Sequence, residues 1–87
     1  MEIEFPNRVL PKVTAMGTVS FQAQVDGKII WCEISIEALR DHFGATPGNG
    51  DAMVRAFHNG RTQIEEVARR YIEANDGLPV LLMSANF

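Results

Sequence analysis

Asp26-Gly27 is the feature that most restricts what this chain can fold into. The pair suits a type I′ hairpin turn, whose two central residues both need positive φ. Before it, Val19, Phe21, Ala23 and Val25 alternate without exception with Thr18, Ser20, Gln22 and Gln24. A period of two is the signature of a half-buried strand. The segment after the turn, 28–34, therefore returns antiparallel, and a two-residue loop fixes the register. Ala23 should face Ile30, Phe21 should face Cys32, and Val19 should face Ile34, forming the core side. The other side should carry Gln24 beside Ile29, Gln22 beside Trp31 and Ser20 beside Glu33. That second side is mixed, and Trp31 is its anomaly.

A short helix should follow at once. Ser35 is placed to cap its N-terminus, worth about 1 kcal/mol over alanine. Glu37 lies in the first turn, where a negative charge suits the helix dipole. Ile36, Leu39 and Phe43 fall on one stripe, Asp41 and His42 project off it, and Gly44 supplies the stop. Residues 18–45 thus read as strand, turn, strand and capped helix with no spare residues.

The remaining segments are arranged around this unit. Residues 1–5 alternate as a short edge strand, with Ile3 and Phe5 on one side, ended by Pro6. Residues 7–17 are irregular but carry Val9, Leu10, Val13 and Met16, which predicts extended chain lying over an apolar surface. Thr46-Pro47-Gly48-Asn49-Gly50 is the most loop-like run, and Asp51 should cap the helix that follows. Met53, Phe57, Ile64, Ala68 and Tyr71 lie within roughly 40° of one helical line. Their phase is unchanged across Gly60, so the pattern predicts one helix over 51–75, kinked near Asn59-Gly60. At about 37 Å it would outrun a strand of about 24 Å, so one end should overhang the sheet or pack on a second subunit. After Asn75-Asp76-Gly77, Pro79 opens a last strand; 80–83 is apolar on both sides, which suits a strand covered on both faces.

Composition limits the classes. The chain has 87 residues, enough for one modest domain, and is 46% hydrophobic and 22% charged, as in ordinary globular proteins. A net charge of −3 argues against nucleic acid as a partner, since phosphate contacts need clustered Lys and Arg. One cysteine, Cys32, allows no internal disulfide, and the acidic start is unlike a signal peptide. No run approaches the roughly 20 apolar residues of a membrane helix. A cytoplasmic location is the expectation.

With these segments placed, the chain resembles the small bacterial proteins of family 1488 of the domains of unknown function. The matching features are Ile3-Glu4-Phe5-Pro6, and Val25-Asp26-Gly27 with Ile34-Ser35 inside the 19–45 unit. Further on they are Phe57, Arg61, Ile64 and Glu65, then Leu82, Ser84 and Phe87. The resemblance covers essentially the whole chain, although no one of these motifs is diagnostic alone. It implies an α+β two-layer fold: a mostly antiparallel sheet of about four strands, with two helices, one short and one long, on one face. It implies no activity. Two positions depart from the family pattern: Gly60, where a larger polar residue is usual, and Asn86, where aspartate is usual.

Candidate sites each carry a plainer alternative. Arg61, with Glu65 and His58, could form an anion or small-molecule site through its guanidinium fork. The alternative is a structural pair with Glu65 or the C-terminal carboxylate, its stem covering core. Trp31 and Ile29 could form a partner-binding patch, since tryptophan is enriched at interface hot spots. The alternative is that Phe5 or 9–16 covers Trp31 within the chain. Cys32 reads as a small core hydrophobe. His42 and His58 lack metal-ligand spacing and read as surface histidines. Asp51 and Arg55, Glu65 and Arg69, and Glu66 and Arg70 are acid-first pairs that should neutralise a solvated helix face. Gly48 and Gly50 precede a helix N-terminus, but Asp51 would repel an anion there. With no catalytic set, metal site or cofactor motif, the sequence reads as a non-enzymatic interaction or regulatory module. It would act through an unidentified protein partner or as a homodimer.

Overall fold

The computed structural model describes residues 1–46 and 50–87; the loop-like positions 47–49 lie outside the described residues. In chain order the strands are β1 (Ile3–Glu4), β2 (Lys12–Val13), β3 (Thr18–Val25) and β4 (Lys28–Ser35). Then come α1 (Ile36–His42), α2 (Gly50–Asn59), α3 (Arg61–Ala74), β5 (Leu81–Leu82) and a 3₁₀ turn, Ser84–Asn86. The architecture is α+β, with a mostly antiparallel sheet. β1 and β2 pair successive parts of one edge of β3, β3 pairs β4, and β5 lies parallel to β4 on the far edge.

The β3–β4 hairpin has the register that its turn dictates. Val19 faces Ile34, Phe21 faces Cys32 and Ala23 faces Ile30. Asp26 (φ 50°) and Gly27 (φ 82°) take the positive φ values that a type I′ turn requires. Ser35 caps α1, its Oγ accepting from the Ala38 N–H at 3.1 Å. At the other end Gly44 has φ 73°, and the Ala45 N–H reaches back to the Leu39 carbonyl at 3.2 Å. The Leu39 carbonyl thus accepts twice, from Ala45 and from the Phe43 N–H at 3.0 Å, which closes the helix end.

All three helices contribute to one core on one side of the sheet. Val19, Phe21, Cys32, Ile34 and Leu82 from the strands meet Leu39, Phe57, Ile64 and Ile72 from the helices. Among the described residues, no layer covers the opposite side of the sheet.

Several expectations change. The pattern over 51–75 is two helices jointed at Gly60, not one. The Gly60 N–H still bonds Ala56 O at 3.1 Å, and Gly60 O accepts from Ile64 N–H at 2.9 Å. Hydrogen bonding therefore runs through the joint, which explains the preserved phase. Neither helix is long enough to outrun the sheet, and Asp51 lies in the first turn of α2 instead of capping it.

The last strand is an edge rather than a covered strand: Leu82 is buried, but Leu81 and Met83 are exposed. Within 7–17, Leu10, Val13 and Met16 are exposed, and the regular part is β2 on the edge of β3. Of the three, Val13 lies beside Gly50 at the start of α2.

The helix-face ion pairs also differ. Among the described residues the ion pairs are Arg61–Glu65 and Arg40–Glu37. Glu65 turns back one turn to Arg61, leaving Arg69 to donate to the Ile3 carbonyl at 2.7 Å.

Candidate functional site

The uncovered sheet side is built by strand parity. Residues facing each other in an antiparallel pair share a side. One row across the sheet is Glu4, Gln24 and Ile29. The next contains Gln22 and Trp31. The third is Lys12, Ser20, Glu33 and Leu81. Ile29 is 56% exposed, Trp31 41% and Leu81 50%, so the apolar groups of this face stand in water.

Trp31 keeps 41% of its surface exposed, and Phe5 is not what covers the rest. From 9–16 it is Lys12 that reaches the ring, its Nζ standing 5.7 Å from the ring centroid. Phe5 lies on the helix side of the sheet, 6.3 Å from the ring of Phe21. Glu33 is held in place by the hydroxyl of Thr18, and Ser20 Oγ donates weakly to Lys12 O at 3.4 Å. These contacts fix a frame of short polar side chains around the apolar groups.

Arg61 is engaged internally. Its Nε donates to Glu65 Oε2 at 2.7 Å, a second nitrogen donates to Pro6 O at 3.3 Å, and the guanidinium lies 5.9 Å from the Phe57 ring centroid. Arg69 does the same about two helical turns on, donating to Ile3 O and standing 5.5 Å from the Phe5 ring. The two arginines clamp the first strand and its exit onto α3. His58 lies elsewhere, lining a hollow of about 300 Å³ with Arg55 and Thr46. The structure does not bring His58 into the Arg61–Glu65 pair.

A polar cluster that the sequence did not signal lies at the C-terminus. Ser84 Oγ donates to Asp41 Oδ2 at 2.5 Å. His42 Nε2 lies 3.0 Å from Ser84 O and 3.2 Å from Ser84 Oγ. A carbonyl can only accept, so Nε2 carries the proton, and it faces the serine oxygen as a donor. A nucleophilic serine needs the reverse arrangement, with an unprotonated nitrogen to take its proton. This cluster therefore tethers the C-terminal turn to α1 and does not activate the hydroxyl. Phe87 completes the tether, packing edge-on against Phe43 at 5.2 Å. Beside it, His42, Asn59, Thr62, Gln63 and Glu66 line an open hollow of about 700 Å³. Asp41 and His42 both lie off the apolar stripe of α1, and Ser84 reaches both.

Cys32 is fully buried, and desolvation pushes its thiol up from the ordinary value of 9.0, against a smaller lowering effect from the Val80 backbone. A protonated buried thiol is a poor nucleophile. Among the described residues, no group of His, Cys, Asp and Glu is placed to hold a metal ion, and no helix is long and apolar enough to cross a membrane.

The chain matches, over residues 3–81, the family model described as "Protein of unknown function (DUF1488)". It is also similar to a crystal structure of a protein of unknown function from that family in Shewanella loihica PV-4. That likeness has a TM-score of 0.77 at 24% identity, covering 90% of this chain and 89% of the other. At that identity it shows a shared fold. No curated protein matches.

Proposed function

We propose a function from the premise that the chain belongs to the DUF1488 family, whose description assigns no activity. It is a non-enzymatic interaction or regulatory module of the bacterial cytoplasm, acting through protein contacts made by the open face of its sheet. The observation that carries this reading is Trp31. A tryptophan 41% exposed at the centre of a sheet face, with Ile29 and Leu81 exposed on the same face, costs solubility and does nothing for the core. Tryptophan supplies large contact area at low conformational cost, which is why it recurs at the centre of protein interfaces. Antiparallel sheets tolerate one wet face, but such a face is ordinarily polar throughout.

The test is co-purification of the full chain from its native host, with Trp31→Gln compared against Arg70→Gln on the far side of the molecule. The expected result is a bound protein, another copy or a different chain, retained by wild type and Arg70→Gln and lost from Trp31→Gln. Partners that survive Trp31→Gln would overturn the reading.

A further inference from the structure

We infer that the occupant of the open face is a second copy of this chain, related by a two-fold axis that crosses the strands along the Gln22–Trp31 row. This rests on the reading of that face as a contact surface and names its partner. The argument comes from the charges at its margin. Glu4 is level with Gln24, and Lys12 is level with Ser20, both on the same edge of β3. Gln24 and Ser20 are each two residues from Gln22, one on either side. The backbones of an exposed acid and an exposed base therefore stand symmetrically about the Gln22–Trp31 row on the same edge, and the Lys12 side chain, now over the Trp31 ring, would swing outward to meet its partner.

A two-fold axis along that row keeps position across the sheet and reverses position along the strands. It places Lys12 of each copy over Glu4 of the other, twice, and brings the two Trp31 rings together near the axis. A two-fold contact must be self-complementary, because the same surface serves both sides. An axis along the strands would carry Lys12 and Glu4 to the β5 side, where Leu81 is the edge residue of the Lys12 row. Strand spacing and rise bound the face at roughly 19 Å by 26 Å, or at most about 500 Å² in plan, since β1, β2 and β5 are two residues each. That is at the small end for a specific contact, so the dimer is weak and depends on concentration.

The test is sedimentation equilibrium of the purified full chain over a micromolar to millimolar series, with Lys12→Glu and Glu4→Lys examined singly, mixed and combined. Each single variant sets like charges against each other at both contacts, and its dimer should weaken on the order of tenfold. Mixing the two single variants should restore association as a heterodimer, and the double variant should restore the homodimer. Both positions are exposed, and thermal unfolding of each variant separates misfolding from dissociation. A chain that stays monomeric at millimolar concentration would overturn the two-fold pairing while leaving a different protein on the same face. A dimer weakened by Trp31→Gln but indifferent to the charge variants would overturn the axis. A dimer indifferent to Trp31→Gln as well would overturn both this inference and the contact face itself.

Discussion

The ring of Phe43 fills the space that a Cβ on Gly60 would need: that atom would lie 2.1 Å from Phe43 Cδ1 and 2.4 Å from Cε1. The joint between α2 and α3 is therefore also the seat of an aromatic ring from the end of α1. Phe43 is backed in turn by Phe87 at 5.2 Å and by the neighbouring His42 ring at 6.3 Å.

Gly60→Ala should destabilise the protein by about 1–3 kcal/mol, the usual cost of forcing an extra methyl into packed surroundings. Helix propensity alone gives the opposite sign, by about 1 kcal/mol. The packing clash decides, because the ring cannot retreat without disturbing Phe87. Chemical denaturation would read the difference. A second variant, Phe43→Leu, should relieve part of the cost of Gly60→Ala, so the two changes should be non-additive.

Arg61→Ala should cost about 1–2 kcal/mol, because it leaves Glu65 half-buried without its partner and frees the Pro6 carbonyl. Hydrogen exchange should speed in β1 as the clamp on the exit from that strand loosens. If Arg61 were instead an anion site, sulfate or phosphate would raise the thermal midpoint of wild type more than that of Arg61→Ala. The geometry predicts equal shifts.

Cys32 predicts a pH dependence at the alkaline end. Burial raises the folded-state thiol above its ordinary value of 9.0, so below that pH both folded and unfolded chains keep the proton. Above it the unfolded chain ionises first, and stability falls with rising pH until the folded thiol also ionises, by at most ~1.4 kcal/mol per pH unit. Cys32→Ala lacks this contribution and should carry only a constant packing cost of about 1 kcal/mol. Denaturation midpoints of the two proteins should therefore converge as pH rises above 9.0. A constant gap across that range would count against the raised thiol.

Trp31→Gln should leave the monomer's stability within about 1 kcal/mol of wild type, since the ring is not part of the core. Its fluorescence gives an independent readout. Trp31 is the single tryptophan, so dilute protein should emit as a solvent-exposed indole. Association on the open face should shift that emission to shorter wavelength. An unshifted spectrum in a demonstrated dimer would place the contact elsewhere.

What was legible in the sequence is what local chemistry fixes. Asp26-Gly27 allows one tight turn, and the turn sets every pairing between β3 and β4 and therefore the side on which Trp31 lies. Ser35 and Gly44 mark the ends of α1 because their caps are made to backbone within a few residues. Other features join segments far apart in the chain and leave no periodic trace. Ser84 reaches Asp41 across 43 positions, Arg69 reaches Ile3 across 66, and β5 finds β4 in parallel. The sequence located a kink near Gly60 but not the division into two helices, because hydrogen bonds pass through the joint and the apolar phase on either side is the same.

The sequence by itself determined the hairpin, its register and the two sides of the sheet, because a two-residue turn leaves the strands no alternative alignment. Only the tertiary structure decided which side stays open. Coverage depends on where the other segments pack, and here all three helices and Phe5 lie on one side of the sheet. The other side, with Trp31 between an exposed acid and an exposed base, is left for a partner.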